Sequence, residues 1–98
     1  MIASVSIHEI AELELNEAAQ YYESKVKGLG FTFLVEVERA IEQIKNNPES
    51  SSRILKAVRR KLLRGFPYSI MYSNVEDTIR ILAIAHQKRR PFYWRARQ

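Results

Sequence analysis

The chain has 98 residues and no cysteine, so its sequence excludes disulfide bonds, thiolate metal sites and cysteine nucleophiles. This length predicts a single domain over residues 1–98, and the 46% of hydrophobic residues is typical of a folded protein. The formal net charge of +5 is unevenly divided, because residues 1–52 carry nine acids and four bases, whereas residues 53–98 carry twelve bases and two acids. This polarity predicts a basic patch on one surface of the fold.

The N-terminal residues predict no targeting or membrane segment. They lack the basic region that opens a secretory signal, and they soon become acidic. The longest apolar run near the C-terminus, residues 81–85, is far shorter than the roughly 20 residues that a membrane helix needs. We therefore expect a soluble, cytoplasmic protein that does not bind membranes.

The first elements in chain order are a strand and a helix. Residues 2–8 alternate in the manner of a short strand. Ser6 and Glu9 have the spacing of a capping box, which predicts that a helix begins near them and runs to about Lys25. The apolar residues of this helix recur at helical spacing: Leu15, Ala18, Ala19, Tyr22 and Val26.

A second helix is predicted after a break at Gly28 and Gly30. It ends at Asn46, Asn47 and Pro48. Its apolar stripe consists of Leu34, Val37, Ile41 and Ile44. Because the connection is short, the two helices should form an antiparallel hairpin. Residues 48–55 are predicted to be a loop.

Three strands are predicted next, over residues 57–63, 68–72 and 78–86, with short turns between them. The last run is the most apolar and should be the central strand. The whole order is β-α-α-β-β-β, an α+β fold in which a helical hairpin packs on one face of a small antiparallel sheet. The other face is expected to carry charge.

The sequence predicts no metal site and no cofactor. His8 and His86 lie far apart, and neither has further ligands at metal-binding spacing. The Gly28-Leu29-Gly30 stretch lacks the later glycine and the preceding strand of a dinucleotide-binding fingerprint.

The remaining candidates for function are basic and aromatic residues near the C-terminus. Arginine pairs with phosphate through two hydrogen bonds, and aromatic rings stack on bases, so a nucleic acid or a nucleic-acid enzyme is a plausible target. A metal-free ribonuclease would also need proton carriers, and His86 and Tyr93 are available for that role. The candidate target-binding or RNA-binding residues are Arg59, Lys61, Arg64, Lys88, Arg89 and Arg90.

Both proton carriers also have a structural interpretation. His86 ends an apolar strand and could simply bond to the backbone. Residues 92–94 are Phe, Tyr and Trp, which could pack the C-terminus onto the sheet. We expect residues 91–94 to pack back onto the sheet, because these rings would otherwise be exposed.

Three segments of the chain together resemble one known family. These segments are ELNEAAQYYESKVKGLGFTFLVEVERAIEQIKNNP, RRKLLRGFPYSIMY and IRILAIAHQKRRPFYWRAR. They resemble the toxins of the RelE/ParE superfamily. Such toxins are the toxic halves of bacterial type II toxin–antitoxin modules and are also called plasmid stabilisation proteins. The resemblance implies a helical hairpin on a small antiparallel sheet and a cognate antitoxin protein as partner. It also implies one of two targets: RelE-like members cut messenger RNA on the ribosome, and ParE-like members inhibit DNA gyrase.

Carried over to this sequence, the RelE-like nuclease site is matched only in part. Its basic strand corresponds to Arg59 and Lys61, and its C-terminal tyrosine to Tyr93. Two of its arginines fall on Ser69 and on or beside Gln87 instead. These departures weigh against a complete nuclease site.

The last strand, by contrast, is similar to ParE-like members in the spacing of His86, Gln87 and Arg89. The resemblance therefore favours a toxin that inhibits DNA gyrase by contact. The alternatives are a ribosome-dependent mRNA endoribonuclease and a nontoxic member that serves only as a binding partner.

Overall fold

The structure is a computed structural model that describes residues 4–98. One five-stranded sheet has the strand order β1-β5-β4-β3-β2. No helix among residues 4–98 is long and apolar enough to cross a membrane. In chain order the elements are β1 (Ser4–Ile7), α1 (Glu9–Lys25), α2 (Leu29–Asn46), β2 (Ser52–Leu55), β3 (Val58–Leu62), β4 (Tyr68–Val75), β5 (Thr78–His86) and a short 3-10 helix (Arg95–Arg97).

The helical hairpin and the α+β class are confirmed, but the sheet differs from the prediction in two ways. The predicted loop over residues 48–55 contains β2, which pairs antiparallel with β3. This strand has only four residues after a run of serines, too few for an alternating pattern to be detected. In addition, β1 runs parallel to β5, with Ser4 opposite Thr78, so the sheet is mixed. Residues 2 and 3 of the predicted first strand lie outside the described residues.

The strand β5 has the predicted bounds and has a neighbour on each side, β1 and β4. The middle strand of the five is β4, because β2 adds a strand at the far edge. A position with neighbours on both sides explains why five consecutive residues, 81–85, are buried.

The helix α1 begins at Glu9, but its N-cap is His8 and not Ser6. The Nδ1 atom of His8 accepts a hydrogen bond from the backbone N–H of Ile10 at 3.1 Å. Ser6 cannot cap the helix because it lies within β1, opposite Arg80. The helix ends at Lys25, as predicted.

The turn between the helices depends on two glycines with different roles. Gly28 has φ +87° and precedes α2, which already includes Gly30. A Cβ atom at Gly30 would collide with the carbonyl oxygen of Ala19, so glycine permits the close approach of the helices. The Glu23 carboxylate caps α2 by accepting from the N–H groups of Gly28 and Gly30, at 2.8 and 2.9 Å.

The face of the sheet under the helices is covered by the larger core. The buried residues of α2 follow helical spacing, and Phe33 belongs to them in place of the predicted Leu34, which is exposed. The ring of Phe33 packs within 5.3 Å, centroid to centroid, of three aromatic rings: Tyr22, Phe66 and Tyr68. The strands contribute Ile70, Tyr72, Ile79, Ile81 and Ile84.

The opposite face was predicted to carry charge, and it also carries a second, smaller apolar cluster. Trp94 is 2% exposed and covers the cluster, as predicted, whereas the ring of Phe92, which was also predicted to pack, is 42% exposed. A register shift contributes to it: Met71 lies opposite Ala83 and Tyr72 opposite Ile81, which leaves Leu82 as an extra residue. The buried members of the cluster are Val58, Met71, Leu82, Ala83, Ala85 and Trp94.

Candidate functional site

A groove of about 640 Å³ lies on this second face, between β3 and the residues that follow β5. We call it the basic groove. The small buried side chains of Ser69 and Ala85 line its interior, where two neighbouring strands pair with each other. Its other polar and aromatic lining includes Arg60, His86, Arg89, Arg90, Phe92 and Tyr93.

The strand β3 sends one arginine into the groove and one to the other side. Val58, Arg60 and Leu62 alternate along the strand, and Arg60 lies opposite Met71, so all three share the second face. Arg59 points the other way and donates hydrogen bonds to the carbonyl oxygens of residues 49 and 51, at 3.1 and 2.7 Å. Arg59 therefore supports the loop before β2.

The residues proposed from the sequence thus divide into two groups. His86, Arg89, Arg90 and Tyr93 line the basic groove together. The others do not line it: Arg59, Lys61, Arg64 and Lys88. Arg60 was not among the predicted site residues, although its alternation with Val58 and Leu62 could have placed it on this face.

His86 makes the backbone contact that its structural interpretation predicted. Its Nδ1 atom accepts a hydrogen bond from the N–H of Lys88 at 3.0 Å. The ring is half-buried and packs edge-on against Tyr68, with centroids 5.0 Å apart. Only Nε2 is therefore left for a ligand or a proton transfer.

Tyr93 belongs to a buried polar cluster that sequence reasoning missed. We call Glu14, Tyr93 and Arg97 the Glu14 clamp. Glu14 Oε2 accepts from the Tyr93 hydroxyl at 2.8 Å, and both carboxylate oxygens accept from the Arg97 guanidinium at 3.0 Å. The side chains of Glu14 and Arg97 are each 11% exposed. The clamp ties the C-terminal residues to α1.

The Glu14 clamp also satisfies the edge of β5 where β1 has ended. The pairing of β1 stops at Ile7, opposite Ile81. Beyond it, the N–H of Ile84 donates to Glu14 Oε1 at 3.0 Å, and the carbonyl of Leu82 accepts from Arg97 at 3.1 Å. A carboxylate and a guanidinium thus take the place of a neighbouring strand's backbone groups.

Two physical effects hold Tyr93 in its neutral form. Burial raises the pKa of the Tyr93 hydroxyl, and the hydrogen bond to Glu14 raises that pKa further, although Arg89 and Arg97 act in the opposite direction. The guanidinium carbon of Arg89 lies 3.8 Å from the centre of the Tyr93 ring. Its Nη1 atom is 4.0 Å from Glu14 Oε2. Tyr93 therefore links the clamp to the basic groove.

Glu14 could have been found from the helical pattern of α1. It follows Ala11 by three residues and precedes Ala18 by four, and both alanines are buried. A carboxylate on the apolar stripe of a helix needs a partner. The helical pattern thus places Glu14 on the buried side of α1, but it does not predict that the distant residues Tyr93 and Arg97 bind its carboxylate.

The charged side chains that line the groove are basic. No aspartate or glutamate of residues 4–98 lines it. Within residues 4–98, Arg60 and Arg90 make no ion pair and no side-chain hydrogen bond. No group of three histidine, cysteine or acidic residues in the described chain is placed to hold a metal ion. The groove is thus suited to binding an anionic partner.

Comparison with known protein families shows to which family this chain belongs. A family model described as the ParE toxin of the type II toxin–antitoxin system, parDE, matches residues 5–91. This chain belongs to the ParE toxin family. It is therefore the toxin component of a type II toxin–antitoxin system, which confirms the resemblance and the preference for the ParE branch.

A solved structure supports the fold. The chain is similar to a chain described as "Chromosomal ParDE TA system from P. aeruginosa", with a TM-score of 0.63 and 21% sequence identity. The match covers 87% of this chain and 96% of that chain. No match was found among the curated proteins.

Proposed function

We propose that this toxin inhibits DNA gyrase by binding it through the basic groove, without cutting nucleic acid. ParE-family toxins target DNA gyrase. The observation that carries the proposal is the composition of the groove: Arg60, Arg89 and Arg90 line it together with the exposed ring of Phe92, and no carboxylate of residues 4–98 lines it. Arginine and aromatic residues are enriched where protein interfaces derive most of their affinity.

The environment of Tyr93 supports contact over catalysis. Its hydroxyl already donates to Glu14, and burial with that hydrogen bond raises its pKa, so it is a poor general base. Ser69, where the nuclease relatives implied an arginine, is buried in the groove. A toxin that works by contact needs neither a proton carrier nor a phosphate-binding arginine at position 69.

The partner that silences the toxin is, in this proposal, a cognate ParD-type antitoxin. The similar solved structure is described as a ParDE system. An antitoxin segment that covers the basic groove would hide the arginines and the two exposed apolar side chains beside them, Leu62 and Phe92. Neutralisation would then be direct competition with gyrase for one surface.

The test is a gyrase supercoiling assay with the purified toxin. Arg60→Ala and Arg90→Ala should each raise the half-inhibitory concentration about tenfold, because each removes an interface cation. Arg64→Ala removes the same charge from an exposed residue outside the groove and should change it little. Equal effects of all three substitutions would contradict a specific role of the groove.

A second measurement separates contact from cleavage. Transcript 5′ ends are mapped within minutes of inducing the toxin without its antitoxin. Arrested growth with intact messages supports the proposal. New ends in register with codons would instead favour the ribosome-dependent nuclease, and Tyr93→Phe should then abolish killing.

A further inference from the structure

We infer that Glu14 is a positioning residue of the toxin: it fixes the C-terminal residues and the Arg89 side chain for target binding without touching the target itself. This inference rests on the proposed function, in which the basic groove binds gyrase. The Glu14 clamp and the stacking of Arg89 on Tyr93 carry it.

The first step is the rigidity of Glu14 itself. Its carboxylate accepts from the backbone N–H of Ile84, so the side chain of a helix residue is fixed to the sheet. Its 11% exposure keeps competing water away from these bonds. The position of the carboxylate is therefore set by two elements of regular structure, α1 and β5.

The second step is the attachment of the C-terminal residues to this carboxylate. Tyr93 binds it through the hydroxyl, and Arg97 binds it through two parallel N–H groups. Between these two residues lies Trp94, which is buried against the sheet. The backbone from 93 to 97 is thus held at three points, and one carboxylate provides two of them.

The third step connects the clamp to the groove. The Arg89 guanidinium lies over the Tyr93 ring, and one edge of it faces Glu14 at 4.0 Å. The Arg89 side chain is still 53% exposed, so much of it is free to meet a partner. A long side chain that is already ordered loses less conformational entropy on binding. Losing the clamp would make Arg89 adopt many rotamers.

The main test is Glu14→Gln, compared with Glu38→Gln, which removes the same charge from an exposed position on α2. Glutamine leaves Arg97 without its anionic partner and presents an amide that cannot accept from it at both positions. Glu14→Gln should raise the half-inhibitory concentration in the gyrase assay about tenfold, whereas Glu38→Gln should leave it within about twofold.

A double-mutant cycle with Arg89→Ala separates positioning from a purely structural role. If Glu14 acts through Arg89, then Glu14→Gln should cost much less inhibition in the Arg89→Ala background than in the wild type. Its effect on the melting temperature should persist in both backgrounds. Arg97→Lys provides a milder variant should Glu14→Gln fail to fold: it keeps the charge, loses the paired geometry and should show the same coupling at smaller size.

The outcomes are distinct. Strong coupling to Arg89, with Glu38→Gln silent, supports the inference. Wild-type inhibition by Glu14→Gln, or the same fold loss with and without Arg89, overturns the inference and leaves the proposed function intact. A wild-type toxin that does not affect supercoiling contradicts the proposed function, and the inference about gyrase fails with it.

Discussion

The two faces of the sheet are built in opposite ways. The face under the helices is closed by a dense set of aromatic and aliphatic side chains around Phe33. The other face holds a smaller cluster that the chain's own C-terminal residues cover, and they leave a groove lined by arginines beside it. The comparison indicates that one face supplies most of the stability and the other face supplies the binding surface.

The same division appears in the charges. The helices carry most of the acids of the chain, and β3 and the C-terminal residues carry half of the bases. Glu14 is the exception, because it reaches from the acidic helix to the basic C-terminal residues. The clamp is thus the point at which the two halves of the sequence are joined electrostatically.

The largest expected effect comes from damaging the helix-covered face. Phe33→Ala should lower the free energy of unfolding by about 3–5 kcal/mol, because Phe33 is fully buried and the space it leaves cannot close completely. Phe31→Ala is the matched control, since Phe31 is 71% exposed on the same helix and its loss should change stability by less than about 0.5 kcal/mol. Urea unfolding measures both. Equal losses would contradict the assignment of Phe33 to the core.

A smaller effect is expected where the two faces are joined. Tyr93→Phe should cost about 1–2 kcal/mol, because it removes one hydrogen bond to a charged, mostly buried carboxylate while the ring under Arg89 stays. Thermal unfolding at neutral pH measures this loss. Inhibition of gyrase should be largely kept, because Arg97 still binds Glu14 and the ring stays under Arg89, which distinguishes this variant from Arg60→Ala.

This loss should also depend on pH in one direction. The folded state raises the pKa of Tyr93 above its usual value near 10, so folding favours the neutral hydroxyl. The stabilisation is fully present below about pH 10, where the unfolded tyrosine is also neutral, and it decreases above that pH. The stability difference between wild type and Tyr93→Phe should therefore shrink between about pH 10 and 11. A difference that grows with pH would contradict the assignment.

Substitutions in a turn remote from both the core and the groove should increase the stability of the protein modestly. Glu76 and Asp77 connect β4 to β5 and both have positive φ, at +49° and +62°. Asparagine and glycine adopt this geometry at lower cost, so Glu76→Asn with Asp77→Gly should stabilise the protein by about 0.5–1 kcal/mol. The melting temperature measures the gain, and gyrase inhibition should not change. Altered inhibition would show that the turn influences the groove.

The smallest effect on stability is expected in the groove itself. Arg60 is exposed and makes no ion pair within residues 4–98, so Arg60→Ala should change the free energy of unfolding by less than about 0.5 kcal/mol. The same substitution is the one expected to weaken gyrase inhibition strongly. Chemical unfolding measures the change in stability, and the supercoiling assay measures the change in inhibition. A large loss of stability would mean that the two faces are not separate in function.

The sequence predicted the elements that have a strong repeat. The end of α1, the hairpin and the bounds of β5 followed from helical spacing, glycine and a long apolar run, whereas the N-cap of α1 is His8 and not the predicted Ser6. β2 was missed because four residues carry too little pattern, and the parallel pairing of β1 was missed because periodicity does not specify a strand's partner.

The candidate site was predicted in part for a related reason. His86, Arg89, Arg90 and Tyr93 are close in sequence, so their grouping in one groove needed little knowledge of the fold. The contribution of Glu14 is a contact across 79 residues of sequence with Tyr93. No local sequence pattern predicts a contact between residues so far apart in the chain. The position of Glu14 on an apolar stripe did indicate that its carboxylate needs a partner.

The parallel pairing of β1 with β5 has a consequence for how the toxin is made. Ser4 and Thr78 are 74 positions apart, and their side-chain hydroxyls meet at 3.1 Å. A nascent chain that has completed the helical hairpin still lacks the strand beside which β1 must lie. Contacts of such long range close a large loop and slow the folding of a domain. We therefore expect the helical hairpin to form early and the sheet, together with the groove, to assemble last, so that binding competence follows the final step of folding.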